Sequence, residues 1–179
     1  LPALFLWMKE EGRTRPLDLI GGPGVGDFVR TLFELAYPGA YDDCYPIVPV
    51  ELARGAGLER HGVRITNAES RHGVRNLAVR IESDGASYCH SGDGRPSDAT
   101  RALFRGATVL AHECYYDARE SRGLAHRDEV VAPADEVGPG TLALLHLGRR
   151  EKATIAERVR ALARRAIVIP RPGDVLPIE

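Results

Sequence analysis

The stretch Ala86-Ser87-Tyr88-Cys89-His90-Ser91-Gly92-Asp93-Gly94 sets the frame for the whole chain. It reads as a β-strand running straight into a tight turn that presents a carboxylate. Taken locally, Gly-Asp-Gly is accounted for by an Asx-turn. Two histidines have a matching placement. His146 closes the apolar run Leu142-Ala143-Leu144-Leu145, and His72 precedes the strand Leu77-Ala78-Val79-Arg80-Ile81. Two imidazoles and a carboxylate at strand edges suit a catalytic divalent metal, because these donors are borderline or hard and a sheet holds them rigidly. Their spacing is too wide for a zinc finger, so only the fold can bring them together. Read alone, His146 is equally a satisfied core histidine, and His61 competes with His72.

Working outward, periodicity predicts helices over 1–11, 27–36, 97–104 and 153–165, with Ser97 as an N-cap. Strands are predicted over 17–20, 45–52, 62–66, 77–83, 86–90, 108–111, 142–145, 166–169 and 174–178. Asp84-Gly85 is a hairpin signal, and Asp128 is a candidate cap for a further helix with Glu129 in its first turn. The glycine-rich segment Gly21-Gly22-Pro23-Gly24-Val25-Gly26 lacks both the Gly-Lys-Ser/Thr ending of a P-loop and Gly-x-Gly-x-x-Gly spacing, so it is read as a turn. Strands cluster early and alternate with helices later, which predicts an α/β protein, a single domain over 1–179.

Composition narrows the function. The 179 residues are 44% hydrophobic and 27% charged, ordinary for a globular domain. A formal net charge of −1 gives no global attraction to nucleic acid or membrane. No apolar run is long enough to span a bilayer. Three cysteines, Cys44, Cys89 and Cys114, have no paired spacing, which argues for reduced thiols and a cytoplasmic setting.

The order of short motifs adds a resemblance. Ser91-Gly92-Asp93-Gly94-Arg95-Pro96 is followed by Ala111-His112-Glu113, then Ala125-His126, then Leu145-His146-Leu147-Gly148-Arg149-Arg150. This resembles the metallo-β-lactamase fold, and within it the ribonuclease Z-like branch. That branch carries a Ser-Gly-Asp-Thr turn, a His-Glu strand end, a Gly-His-Ser-Thr loop and a Thr-His-x-Ser-x-Arg strand end. The family's opening His-x-His-x-Asp-His is missing: no two histidines here stand at i, i+2. The chain is therefore expected to be an N-terminally truncated αββα sandwich, the C-terminal two-thirds of the domain.

The resemblance implies a role for each residue. Asp93 is expected to bridge two divalent ions, Zn or Mn, with His72 and His146 as further metal ligands. His126 is expected to give a proton to the leaving group, and His112 and Glu113 to support the ligands from behind. Arg149 and Arg150 are placed to reach a substrate phosphate. The expected reaction is phosphodiester hydrolysis by a metal-activated water. The favoured partner is a small phosphodiester rather than RNA, with no membrane, and a homodimer left open. Ribonuclease Z itself grips transfer RNA with a long arm between the positions matching His72 and Asp93, and here 20 residues separate them. Alternatives are ribonuclease Z-type RNA processing, ester or lactone hydrolysis, and a degenerate non-catalytic module.

Overall fold

Alternation of apolar and polar residues makes Val63–Glu69 and Leu77–Ser83 strands, and the two pair antiparallel across a seven-stranded sheet. The computed structural model describes residues 1–118, 124–162 and 166–178. Its elements in chain order are α1 (Pro2–Glu10), β1 (Leu17–Gly21), α2 (Val25–Ala36), β2 (Ile47–Glu51), β3 (Gly57–Arg60), β4 (Val63–Glu69), β5 (Leu77–Ser83) and β6 (Ala86–His90). They continue with α3 (Asp98–Phe104), β7 (Val109–Glu113), α4 (Arg127–Val137), β8 (Thr141–Leu145), α5 (Lys152–Leu162) and β9 (Ala166–Val168). The chain divides into two compact units, Leu1–Ala53 and Arg54–Glu179.

In the first unit β1 pairs parallel with β2, and Phe5, Val29 and Phe33 form a small core. The glycine-rich segment is a turn, as expected. Gly24, at φ +85°, caps α2, and its amide donates to Glu51 Oε1 at 2.7 Å. A side chain of the same unit thus occupies the position that suggested phosphate cradling.

The second unit is ordered β3-β4-β5-β6-β7-β8-β9. Strands β3 to β6 are antiparallel, and β6 to β9 are parallel. The change follows from the connections. His61-Gly62 and Asp84-Gly85 each place two successive residues at positive φ, the signature of a two-residue type I′ hairpin. Beyond β6 the connections instead contain α3, α4 and α5, as parallel pairing requires. All five residues of β7 are buried, as in the centre of a parallel sheet. Phe104 from α3, Val130, Ala134 and Val137 from α4, and Ile155 and Val159 from α5 share one core with Ala78, Cys89, Leu110, Leu142 and Leu144 of the strands.

Ser97 caps α3, as expected, in a reciprocal box with Thr100: Thr100 N–H donates to Ser97 Oγ at 3.2 Å and Ser97 N–H to Thr100 Oγ1 at 2.8 Å. Several expectations are corrected. Residues 174–178 form no strand: Pro177 removes a ladder donor within them, and a local turn joins Arg171 to Asp174 at their start. Strand β3 was not anticipated, since Gly-Leu-Glu-Arg is a short polar edge strand without an apolar face. The N-cap of α4 is His126 rather than Asp128. The end of the helix expected over 153–165 falls on 163–165, outside the described residues. Among the described residues no helix is long and apolar enough to cross a membrane.

Arg80 on β5 ties the sheet to the end of α3. Its guanidinium donates to the carbonyls of Leu103 at 3.1 Å and Arg105 at 3.0 Å, to Ser87 Oγ at 3.1 Å and to Glu82 at 2.9 Å. A cation at a helix C-terminus meets the negative end of the dipole and the otherwise unpaired carbonyls. Arg80→Met is expected to lower stability by about 2 kcal/mol, read as a lower urea midpoint at unchanged slope; an unshifted midpoint would show that water replaces these bonds without cost.

Candidate active site at the carboxyl ends of the parallel strands

The turn after β6 owes its shape to two side chains from the loop between β4 and β5. Asn76 Oδ1 accepts from Asp93 N–H at 3.2 Å, while its amide nitrogen donates to the Ser91 carbonyl at 3.0 Å and to Ser70 Oγ. Gly92 sits at φ +62°, and a Cβ there would collide with the Asn76 side chain. A Cβ on Gly94 would collide with Ser70 Oγ. His90 adds a further tie, its Nδ1 accepting Gly92 N–H at 2.8 Å. Burial lowers the His90 pKa, with Asp93 opposing.

Asp93 is aimed outward by this frame and meets His146 from the end of β8, Oδ1 to Nδ1 at 3.3 Å. His146 holds a left-handed backbone, φ +49°, uncommon for a non-glycine residue. Its ring stacks edge-on to Tyr115 at 5.2 Å. A core-histidine reading therefore fails: the side chain is 43% exposed and faces a carboxylate.

His72 lies in the β4–β5 loop, on the same sheet edge as Asp93, since that loop bears the Asn76 clamp. His61 occupies a hairpin turn at the other end and so cannot replace it. The His72 ring is engaged locally, with Nδ1 accepting Val74 N–H at 3.3 Å. Among the described residues no three His, Cys, Asp or Glu side chains are gathered closely enough to hold a metal ion. A ligand set of His72, Asp93 and His146 is thus not assembled: Val74 engages one ring and Asp93 the other. Asp93 and His146 are suitable donors, but a zinc site needs three or four from protein. The residues described here do not fit a complete metal site.

Glu113 and His112 are both buried in β7 and both bond to backbone. Glu113 is 2% exposed, and its carboxylate accepts the amides of Ala125 at 2.5 Å and Tyr115 at 3.2 Å. Its own N–H donates to Ser91 Oγ at 2.9 Å. It therefore ties the backbone at Tyr115 to that at Ala125, beside His126. His112 donates from Nδ1 to the Glu113 carbonyl at 2.7 Å and packs edge-on against Phe104, while its Nε2 is buried without a partner.

His126 is only 8% exposed. Its Nε2 lies 3.4 Å from Glu129 Oε2, and its Nδ1 is buried and has no partner among the described residues. Arg149 and Arg150, just past His146, are exposed, as are Arg71 and Arg75 on either side of His72. The asparagine, serine and arginine partners of this site carried no sequence signal, because each acts through a contact distant in the chain.

No protein-family model matches the chain. Over 229 aligned residues it is 24% identical to ribonuclease Z of Methanothermobacter thermautotrophicus, covering 98% of this chain and 73% of that protein. It is 29% identical over 170 residues to ribonuclease Z of Mycobacterium tuberculosis, covering 83% of this chain and 62% of that one. Among solved structures, the metallo-β-lactamase fold protein YhfI from Bacillus subtilis superposes with a TM-score of 0.73 at 19% identity, covering 93% of this chain and 67% of YhfI. The short form of human tRNase Z gives 0.68 at 18%, covering 85% and 68%. The chain has the metallo-β-lactamase fold and is ribonuclease Z-like.

Two departures from the ribonuclease Z-like pattern now have physical reasons. Glycine replaces the threonine of Ser-Gly-Asp-Thr at Gly94 because Ser70 fills the space of its side chain. The Ser-Thr after the loop histidine is Arg127-Asp128, and Arg127 Nε bonds the buried Asp117 at 3.1 Å, which also pairs with Arg158. An ion-pair network thus anchors the start of α4.

Burial pushes the Glu113 carboxyl up to about 7, opposed by the two amides and reinforced by Asp93 and Glu129. Burial pushes the neighbouring His112 down to about 4, opposed by its bond to the Glu113 carbonyl. The folded state therefore holds the Glu113 proton where the unfolded chain, with an ordinary value of 4.5, has released it. Stability from Glu113 falls as pH rises from 4.5 to about 7. For His112 the unfolded chain gains a proton below 6.5 and the folded one only near 4, so its contribution rises over that interval and opposes Glu113. Glu113→Gln removes one of the two slopes. The stability difference from wild type is expected to change by up to about 1.4 kcal/mol per pH unit within the Glu113 window, and parallel unfolding curves would contradict it.

Proposed function

We propose that this chain contributes to a metal-dependent hydrolase that cleaves phosphodiesters. One observation carries the reading. The Asp93 carboxylate and His146 imidazole face each other at 3.3 Å, at the carboxyl ends of β6 and β8, beside loops bearing exposed arginines. Arg149 and Arg150 follow His146 directly, and Arg71 and Arg75 flank His72. Guanidinium groups bind phosphate oxygens in fixed fork geometry, so this rim selects a phosphate-bearing substrate.

In this reading Asp93, His72 and His146 are ligands to two divalent ions, Zn or Mn. Three donors are fewer than two ions need, so the set is incomplete among the described residues. The arginines hold the phosphate, and His126 gives a proton to the departing oxygen. The relatives named ribonuclease Z favour RNA as a second reading. Against a long gripping arm stands the segment between His72 and Asp93, which is filled by the β5–β6 hairpin with its two-residue turn. A small phosphodiester is therefore the first substrate.

Metal analysis of this chain and of a longer protein carrying a His-x-His-x-Asp-His segment tests the ligand reading. This chain alone is expected to bind Zn²⁺ weakly and to turn over little, and the longer protein to hold about two ions. Two tightly held ions in this chain would refute the incomplete set, and none in the longer protein would favour a non-catalytic module.

With bis-p-nitrophenyl phosphate as substrate, His126→Ala should lower turnover by about 10²–10⁴ and leave bound metal nearly unchanged. Asp93→Ala should lose both. Loss of metal on His126→Ala, or unchanged turnover, would overturn this division of roles.

A further inference from the structure

His126 is enclosed by partners that the family pattern does not supply. Its Nε2 lies 3.4 Å from Glu129 Oε2, three residues on in the first turn of α4. Glu129 is in turn held by Arg95 from the turn after β6: Arg95 Nε donates to both carboxylate oxygens, at 3.1 and 2.9 Å, and a second guanidinium nitrogen reaches Oε1. This two-pronged grip fixes the carboxylate in space and keeps it ionised. The Glu129 pKa is lowered even though its burial works the other way, because Arg95 and His126 outweigh it. Glu113, the carboxyl expected to support the metal ligands, is committed to the backbone amides of Ala125 and Tyr115.

An ionised carboxylate can only accept, so its position 3.4 Å away favours the hydrogen on the ring nitrogen facing it. The other nitrogen, Nδ1, is buried and has no partner among the described residues. Buried polar atoms without partners are rare in folded proteins, and a catalytic role is one physical account of them.

We propose that Glu129, locked by Arg95, is the positioning residue of His126: it accepts Nε2–H and leaves Nδ1 as the nitrogen that serves the leaving group. This rests on the reading of His126 as the proton donor. In the step it implies, the water oxygen bonds to phosphorus and the bond from phosphorus to the leaving oxygen breaks. His126 enters this step doubly protonated: the leaving oxygen keeps the electron pair and takes the Nδ1 proton, the attacking water loses one proton to solvent, and the ring is left neutral with Nε2–H on Glu129. Arg95 lies two residues from Asp93, so the same turn that presents the Asp93 carboxylate also sets the partner of His126.

A purely structural role for Glu129 exists, because a glutamate at the third helical position stabilises a helix start, and glutamine does so equally. Glu129→Gln therefore keeps the helix start and removes the fixed acceptor. The ¹⁵N resonances of His126, in the histidine-labelled chain at alkaline pH, are expected to show Nε2 protonated and Nδ1 pyridine-like. In Glu129→Gln the two resonances are expected to move toward each other as the tautomers mix. In the metal-loaded longer protein the same change should lower kcat at least about tenfold with KM unchanged. Unmoved resonances in Glu129→Gln, or a wild-type ring protonated at Nδ1, would overturn the positioning role whatever the activity. If the resonances shift as expected but His126→Ala leaves turnover intact, the pairing stands and the proton-donor reading falls.

Discussion

The side chain of Asn76 is the contact on which the site depends. It holds both strands of the turn after β6, through the Ser91 carbonyl at 3.0 Å and the Asp93 amide at 3.2 Å, and it engages Ser70 on its own loop. An amide group is suited to this, since it donates and accepts at once and needs no charge. Packing is so close that positions 92 and 94 admit only glycine. With the turn fixed, Asp93 points out of the sheet edge toward His146, Ser91 receives the Glu113 amide, and Arg95 reaches Glu129.

A second constraint is the burial of Glu113 and His112 side by side in β7. Each is held in its neutral form in part of the pH range; His112 bonds the Glu113 carbonyl within β7, and Glu113 bonds the amides of Tyr115 and Ala125. Burying two titratable groups at the centre of a parallel sheet weakens the fold, and perturbed groups of this kind cluster near functional sites. Here they join the core under α3 and α4 to the rim where Tyr115, His146 and Asp93 meet.

In the proposed reading, the arrangement separates binding from proton handling. Exposed arginines on the loops bearing His72 and His146 present positive charge to an anion. The arginines nearer His126 are committed to carboxylates: Arg95 to Glu129, and Arg127 to Asp117. The first group can therefore be lost with little effect on the fold, and the second cannot.

Much of the architecture was legible in the chain. Alternation marked β4, β5 and β6, Asp84-Gly85 marked their hairpin, and Ser97 marked the start of α3, because these signals act over a few residues. The order of Asp93, His112-Glu113, His126 and His146 was enough to point to the metallo-β-lactamase fold. What the sequence could not contain was the pairing across distance: Asn76 on Asp93, Glu113 on the Ala125 amide, Arg95 on Glu129 and thence His126. Nor could it tell that His72 turns to Val74 while Asp93 and His146 turn to each other. Local backbone preference and hydrophobic period are carried by neighbouring residues, so one chain of letters determines them. Which donor meets which acceptor depends on how strands and loops far apart in the chain pack, and only the tertiary structure decides that.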